Sequence, residues 1–189
     1  MFGEGNPNRP LVAFVGEGPG DIEDRQGRPF VGPSGKLLDK MIARMGIDRM
    51  KDCYILNAVC CRPPGNRVPT PEEVIACRPF FHGQLRLVRP QTIITLGGTA
   101  ATHLLGKQKL MHEFRGKWHK WEHVPVRPTF HPAYLLRNPK ERGAALTDLE
   151  AVMRLIRTGD AAVAKDPDHA TLRPHGPNAA SLTIPTVSG

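Results

Sequence analysis

The sequence predicts an α/β protein, a three-layer α/β/α sandwich around a central four-stranded parallel sheet. Three observations carry that expectation. Four short, apolar, partly β-branched runs recur along the chain, each bounded by Gly, Pro or Asn. Between them lie longer stretches whose apolar residues return at helical spacing. Strand alternating with helix sets consecutive strands parallel and covers both faces of the sheet.

The first ten residues read as an extended lead-in to the first strand, Leu11 to Val15, and a helix follows from Ser34 to Met45. Cys53 to Val59 is the second strand. The next helix, Pro71 to Val88, has a strong start signal: Thr70 as cap, Pro71 in the first turn, then Glu72 and Glu73. Thr92 to Leu96 is the third strand, Thr99 to Leu105 a helix, Val124 to Thr129 the fourth strand and Ala144 to Ile156 the last helix. Trp118 and Trp121, with Lys117, His119 and Lys120 around them, read as a strand or hairpin packed on the sheet rather than as a nucleic-acid platform. Beyond Arg157 the composition shifts to Ala, Pro, Thr, Asp and His without periodicity, too little apolar surface to offset the entropy of ordering. The expected organisation is one domain over residues 1–157 and a flexible tail over 158–189, whose His169 and His175 are solvated.

The formal charge is +8; the tail holds two cations against three carboxylates, so residues 1–157 carry +9. Such an excess suits a polyanion such as nucleic acid. No apolar run approaches the length of a membrane span, which points to a cytoplasmic, nucleoid-associated protein with no membrane partner. The four cysteines lack the spacing of a secreted disulfide framework and read as metal ligands or core thiols.

The first strand runs into Gly16-Glu17-Gly18-Pro19-Gly20, a Gly-rich turn at the sheet edge where open parallel sheets bind ligands. A dinucleotide fingerprint needs a third Gly where Asp21 stands. Gly32-Pro33-Ser34-Gly35-Lys36 mimics a phosphate loop, but Phe30 replaces its first Gly and Leu37 its Ser or Thr. Neither a nucleotide cofactor nor magnesium is expected.

What remains is a set of pieces at the carboxyl ends of separate strands: Gly16 to Gly20, Gly27-Arg28-Pro29-Phe30-Val31-Gly32, Asn57, Cys61-Arg62-Pro63-Pro64, and His131-Pro132-Ala133-Tyr134-Leu135-Leu136-Arg137. In this order, from about Phe2 to Ile156, the chain resembles the iron-sulfur (family 4) branch of the uracil-DNA glycosylase superfamily. Some relatives of that branch carry the label phage SPO1 DNA polymerase-related protein.

The resemblance implies a uracil-DNA glycosylase-like fold and a monofunctional, monomeric hydrolase of DNA base-excision repair. Its substrate is uracil-containing DNA, single- or double-stranded, and it leaves an abasic site. A base inside a duplex must be extruded before its bond can be cut. Phe30 is then the stacking platform, lining the pocket with Gly16 and Gly18. Asn57 can donate to uracil O4 and accept from N3–H, a pattern cytosine reverses. His131 is the donor to uracil O2, and Glu17 orients water or counters the cationic sugar; should Glu17 instead hold the turn, Glu23 and Asp24 are substitutes. Leu135 is the expected minor-groove wedge, with Arg137 beside it. Ser34 and Gly35 offer hydroxyl and N–H groups to a phosphate, and Lys36, Arg62 and Arg67 add salt-sensitive affinity. Taken singly, His131 reads equally as a loop histidine, Asn57 as a turn former, and Phe30 more readily as core.

The branch carries a 4Fe-4S cluster, for which Cys61 and Cys77 match the second ligand pair. The first pair lies upstream of the segment matching Phe2-Gly3-Glu4-Gly5, so the expectation is a natural chain extending upstream with two more cysteines. The alternative is a cluster-less variant with Cys61 and Cys77 as plain thiols; Cys53 and Cys60 are poor stand-ins. A rival function is a DNA-binding or damage-sensing module of the same fold without catalysis. The crosslinking branch is disfavoured, since Cys61 to Thr70 contains no His. Gly20 stands where the classical branch excludes thymine with a Tyr, which leaves thymine exclusion and activity on hypoxanthine open.

Overall fold

The computed structural model describes residues 1–107 and 109–159. Among these residues six strands, β1 (Glu4–Gly5), β2 (Val12–Gly16), β3 (Cys53–Asn57), β4 (Thr92–Leu96), β5 (His119–Trp121) and β6 (Val124–Thr129), form one sheet in the order β1-β3-β2-β4-β6-β5. The four runs read from the sequence are its central strands, all parallel. Both edges are closed by antiparallel strands, one from the lead-in and one from the tryptophan segment. The central sheet therefore has two more strands than the four expected.

Among the described residues seven α-helices surround it: α1 (Asp21–Gln26), α2 (Pro33–Arg44), α3 (Pro71–Val88), α4 (Gly98–Leu105), α5 (Met111–Phe114), α6 (Pro132–Arg137) and α7 (Arg142–Thr158). The two-residue period of the strands sorts their side chains into two cores. Val12, Phe14, Ile55 and Ile94 pack with Leu38, Met41 and Ile42 of α2 and Leu149 and Val152 of α7. Ala13, Val15, Leu56 and Ile93 pack on the other face with Phe81 and Leu85 of α3 and Leu104 of α4. Strands apolar on both faces are what a doubly covered parallel sheet requires.

At the head of α3 the Thr70 hydroxyl accepts from the Glu73 amide at 3.3 Å, and the Glu73 carboxylate accepts from the Thr70 amide at 2.8 Å. This reciprocal cap fixes where the helix starts. α7 ends at Gly159, whose φ of 61° is the left-handed closure glycine tolerates. The expected flexible tail, with His169 and His175, lies from residue 160 on outside the described residues.

Candidate active site

The parallel strands end together, and their carboxyl edge borders a cavity of about 540 Å³. Glu17, Gly18 and Gly20 reach it from the turn after β2, Asn57 from the end of β3, and His131 from just beyond β6. Phe30 and Ser34 line it from the segment between α1 and α2, Tyr134 and Arg137 from α6. Of the expected site residues, Glu17, Gly18, Phe30, Ser34, Asn57, His131 and Arg137 are thus brought to one cavity.

Asn57 is 7% exposed, and its Oδ1 is buried without any hydrogen-bond partner. A buried acceptor left open costs about 1–3 kcal/mol. Gly16 lies directly against it: a Cβ at position 16 would collide with Asn57 Oδ1 and come within 2.6 Å of the Phe30 ring. Glycine is therefore required where Asn57 and Phe30 converge.

Phe30 holds a left-handed backbone, φ 52°, unusual for a bulky residue. Glu23 stabilises that bend, its Oε1 accepting from the amides of Val31 at 3.0 Å and Gly32 at 2.8 Å. The Phe30 ring centroid lies 5.8 Å from that of His131, at an interplanar angle of 34°. Glu23 therefore holds the neighbouring loop, whereas the Glu17 carboxylate has no hydrogen bond or ion pair with the described residues. Asp24 is exposed and lies off the cavity.

His131 is the N-cap of α6, and its Nδ1 accepts from the Ala133 amide at 3.1 Å. Nδ1 is therefore unprotonated, and the ring's remaining proton sits on Nε2. Burial, and next the charge of Arg137, push the imidazole pKa down to about 4, against an opposing pull from Glu23. At neutral pH the ring is an uncharged donor.

Leu135 requires correction. It is 2% exposed and packs in the core with α2 and α7. His131-Pro132 starts a helix here, and helical geometry turns Leu135 inward while Tyr134 and Arg137, three residues apart, face the cavity. The Pro at the first helical position is a signal from which that helix is readable. Gly35 is also buried, and a Cβ there would strike the Phe30 carbonyl, so its first use is close packing. Arg62 and Arg67 are engaged with Asp21 at 2.6 Å and Glu73 at 2.7 Å, while Lys36 is exposed.

The family model described as the Uracil DNA glycosylase superfamily matches residues 2–152. The chain belongs to this superfamily. It is 46% identical to a Type-4 uracil-DNA glycosylase of Thermotoga maritima, over 83% of each chain. To the Type-4 uracil-DNA glycosylase of Saccharolobus solfataricus it is 41% identical, covering 82% of this chain and 74% of that one. A DNA polymerase of Bacillus phage SP01 is 31% identical over 82% of this chain but 17% of its own length.

The superfamily's iron-sulfur branch implies a 4Fe-4S cluster, which takes four thiolates. Cys53 is fully buried in the core, and burial pushes its thiol up to about 12. The Cys60 amide donates to Cys77 Sγ at 3.4 Å, while Cys61 is exposed. Among the described residues no group of three or more metal-ligating side chains converges. The thiols present do not fit the cluster. No helix is long and apolar enough to cross a membrane among the described residues.

Proposed function

We propose that the protein hydrolyses the N-glycosidic bond of deoxyuridine in DNA, releasing uracil and leaving an abasic site. The observation that carries this reading is the buried, unpartnered Oδ1 of Asn57, in one cavity with a neutral His131 whose free proton is on Nε2. Uracil offers a complementary edge: N3–H for Oδ1, O4 for the Asn57 amide nitrogen and O2 for the imidazole. Cytosine presents an acceptor at N3 and a donor at N4, which leaves Asn57 mismatched.

Extrusion places the base against Phe30, whose ring borders the same cavity. As the C1′–N1 bond breaks, its electron pair passes to uracil, and negative charge grows on O2. An Nε2–H hydrogen bond stabilises that charge without transferring the proton. The Glu17 carboxylate faces the positive charge left on the sugar and orients water toward C1′. The attacking water adds its oxygen to C1′ and releases a proton to solvent, and the uracil anion takes one from solvent, so the net reaction consumes one water.

Ser34, with the N–H groups of the first turn of α2, and Arg137 are the proposed phosphate contacts. The catalytic unit is residues 1–157, acting as a monomer in the cytoplasm on the nucleoid; the net charge of +8 supports that setting. Cys61 and Cys77 are the positions that match the branch's cluster ligands, and no step of the reaction is assigned to a cluster.

A labelled oligonucleotide carrying one uracil, treated with alkali after incubation, tests the reading. Wild type should cleave at the uracil, and Asn57→Ala and His131→Ala should cleave there measurably more slowly under the same conditions. Binding of the same strand by wild type without base release would replace the enzyme by a DNA-binding module of the same fold.

A further inference from the structure

Of the large apolar side chains that are exposed among the described residues, Tyr134 alone lines the cavity. Being 37% exposed and part of the lining, it stands at the cavity mouth. Its ring stacks on Phe130, with centroids 5.0 Å apart and planes at 26°. The Arg115 guanidinium lies over the same Phe130 ring, 5.0 Å from its centroid. Arg115 is itself held by the carboxylate of Asp148 at 2.7 Å and the Ala144 carbonyl at 2.6 Å. Asp148 is fully buried and also accepts from Arg127 and Thr129. A chain of contacts thus runs from a buried carboxylate to one aromatic ring at the rim.

We propose that Tyr134 is the surface on which the DNA base beside the extruded deoxyuridine stacks, with Phe130 and Arg115 as its positioning residues. The proposal rests on the uracil-excision reading. Extrusion strips one base face of its stacking neighbour, and an aromatic ring replaces that contact for any base, since every base has a π-face. Leu135 is in the core and cannot reach the strand. Phe30 is inside the cavity and 6% exposed. Tyrosine adds the advantage of few rotatable bonds, and here those are already restricted by Phe130, so little freedom is lost on binding. Arg137, three residues on and also on the lining, places a cation where the strand's phosphates would pass.

The test uses an oligonucleotide with a 2′-fluorinated deoxyuridine, whose glycosidic bond resists cleavage, and 2-aminopurine as the adjacent base. Stacking on an aromatic ring quenches 2-aminopurine, so wild type should bind with the fluorescence held low. Tyr134→Ala should bind roughly 5- to 150-fold more weakly and let the fluorescence rise. Tyr134→Phe should behave as wild type, and Tyr134→Leu, apolar but without a π-face, should lose the quenching. Arg115→Gln should give an intermediate signal. Tyr134→Ala with wild-type affinity and wild-type fluorescence overturns the proposal. On a cleavable strand, wild type that excises uracil beside a neutral Tyr134→Ala overturns this proposal alone. Wild type that quenches but never excises overturns the excision reading and leaves the stacking surface standing.

Discussion

The Ala133 amide donates to Nδ1 of His131 across 3.1 Å, and this one bond decides what the imidazole can do. It leaves the proton on Nε2 and the ring neutral, with a pKa lowered to about 4 chiefly by burial. Because the folded-state value is depressed, the neutral ring's contribution to stability is fully present above the ordinary histidine pKa of about 6.5 and is lost as pH falls toward 4. Neither kcat/KM nor stability should show a His131 titration between about pH 6.5 and 8. Imidazole chemical shifts followed by NMR should place its protonation near pH 4; a midpoint near 6.5 would mean a cationic ring contributes in weakly acid solution. Removing the donor in His131→Ala should cost about 10²- to 10³-fold in kcat.

Asn57 makes a prediction of opposite signs. Its unpartnered Oδ1 is a liability to the folded protein of about 1–3 kcal/mol, maintained by the structure around it. Asn57→Ala should therefore hold or raise Tm while lowering kcat/KM by at least about tenfold, the trade expected of a preorganised site. Differential scanning fluorimetry beside the cleavage assay measures both. A marked fall in Tm would identify Asn57 as a structural residue instead.

How much of this was legible from the chain depended on the distance over which each signal acts. The four central strands could be read because each is a contiguous β-branched run, and the α3 start because Thr70 and Glu73 are three residues apart. The edge strand Glu4–Gly5 has too few residues for any period to emerge and exists by pairing with Tyr54 and Ile55. Leu135 was misread for a different reason: a loop exposes what a helix turns inward, and the cap formed by His131 decides between them. Glu17 and Glu23 are indistinguishable in sequence, since the bonds of Glu23 to Val31 and Gly32 depend on how the chain bends at Phe30. The pairing of Arg115 with Asp148 spans 33 positions and carries no local signal.

Glu23 should prove a positioning residue for Phe30. Glu23→Ala frees two amides, and the left-handed Phe30 loses the contacts that hold it, a conformation costing about 1–3 kcal/mol. Expected are a loss of stability of that order and a weaker grip on uracil, read as a rise in KM larger than the fall in kcat. Phe30→Gly relieves the strain of φ 52° but removes a buried core ring, a loss of about 3–5 kcal/mol that outweighs it, so in the Glu23→Ala background it should lower stability further and restore none of the affinity. Recovery of affinity by that second change would remove Phe30 from base stacking.

Asp148 anchors the wall behind α6. It is paired with Arg115, which keeps some access to solvent, and with Arg127, which is 4% exposed. Asp148→Asn would strand the Arg127 charge in a dry site, at a cost of about 3–5 kcal/mol, or roughly 6–20 °C in Tm for a chain of this size. The harm lies in the unpaired partner and not in the loss of the ion pair. Asp148→Leu combined with Arg127→Met, which fills the same space without charge, should therefore be more stable than Asp148→Asn alone. The double variant still frees Arg115 from its carboxylate, so it should show the loosened stacking expected of Arg115→Gln in a protein that is folded. Equal Tm values for the single and double variants would show that the site admits water and that the charge of Arg127 is solvated there.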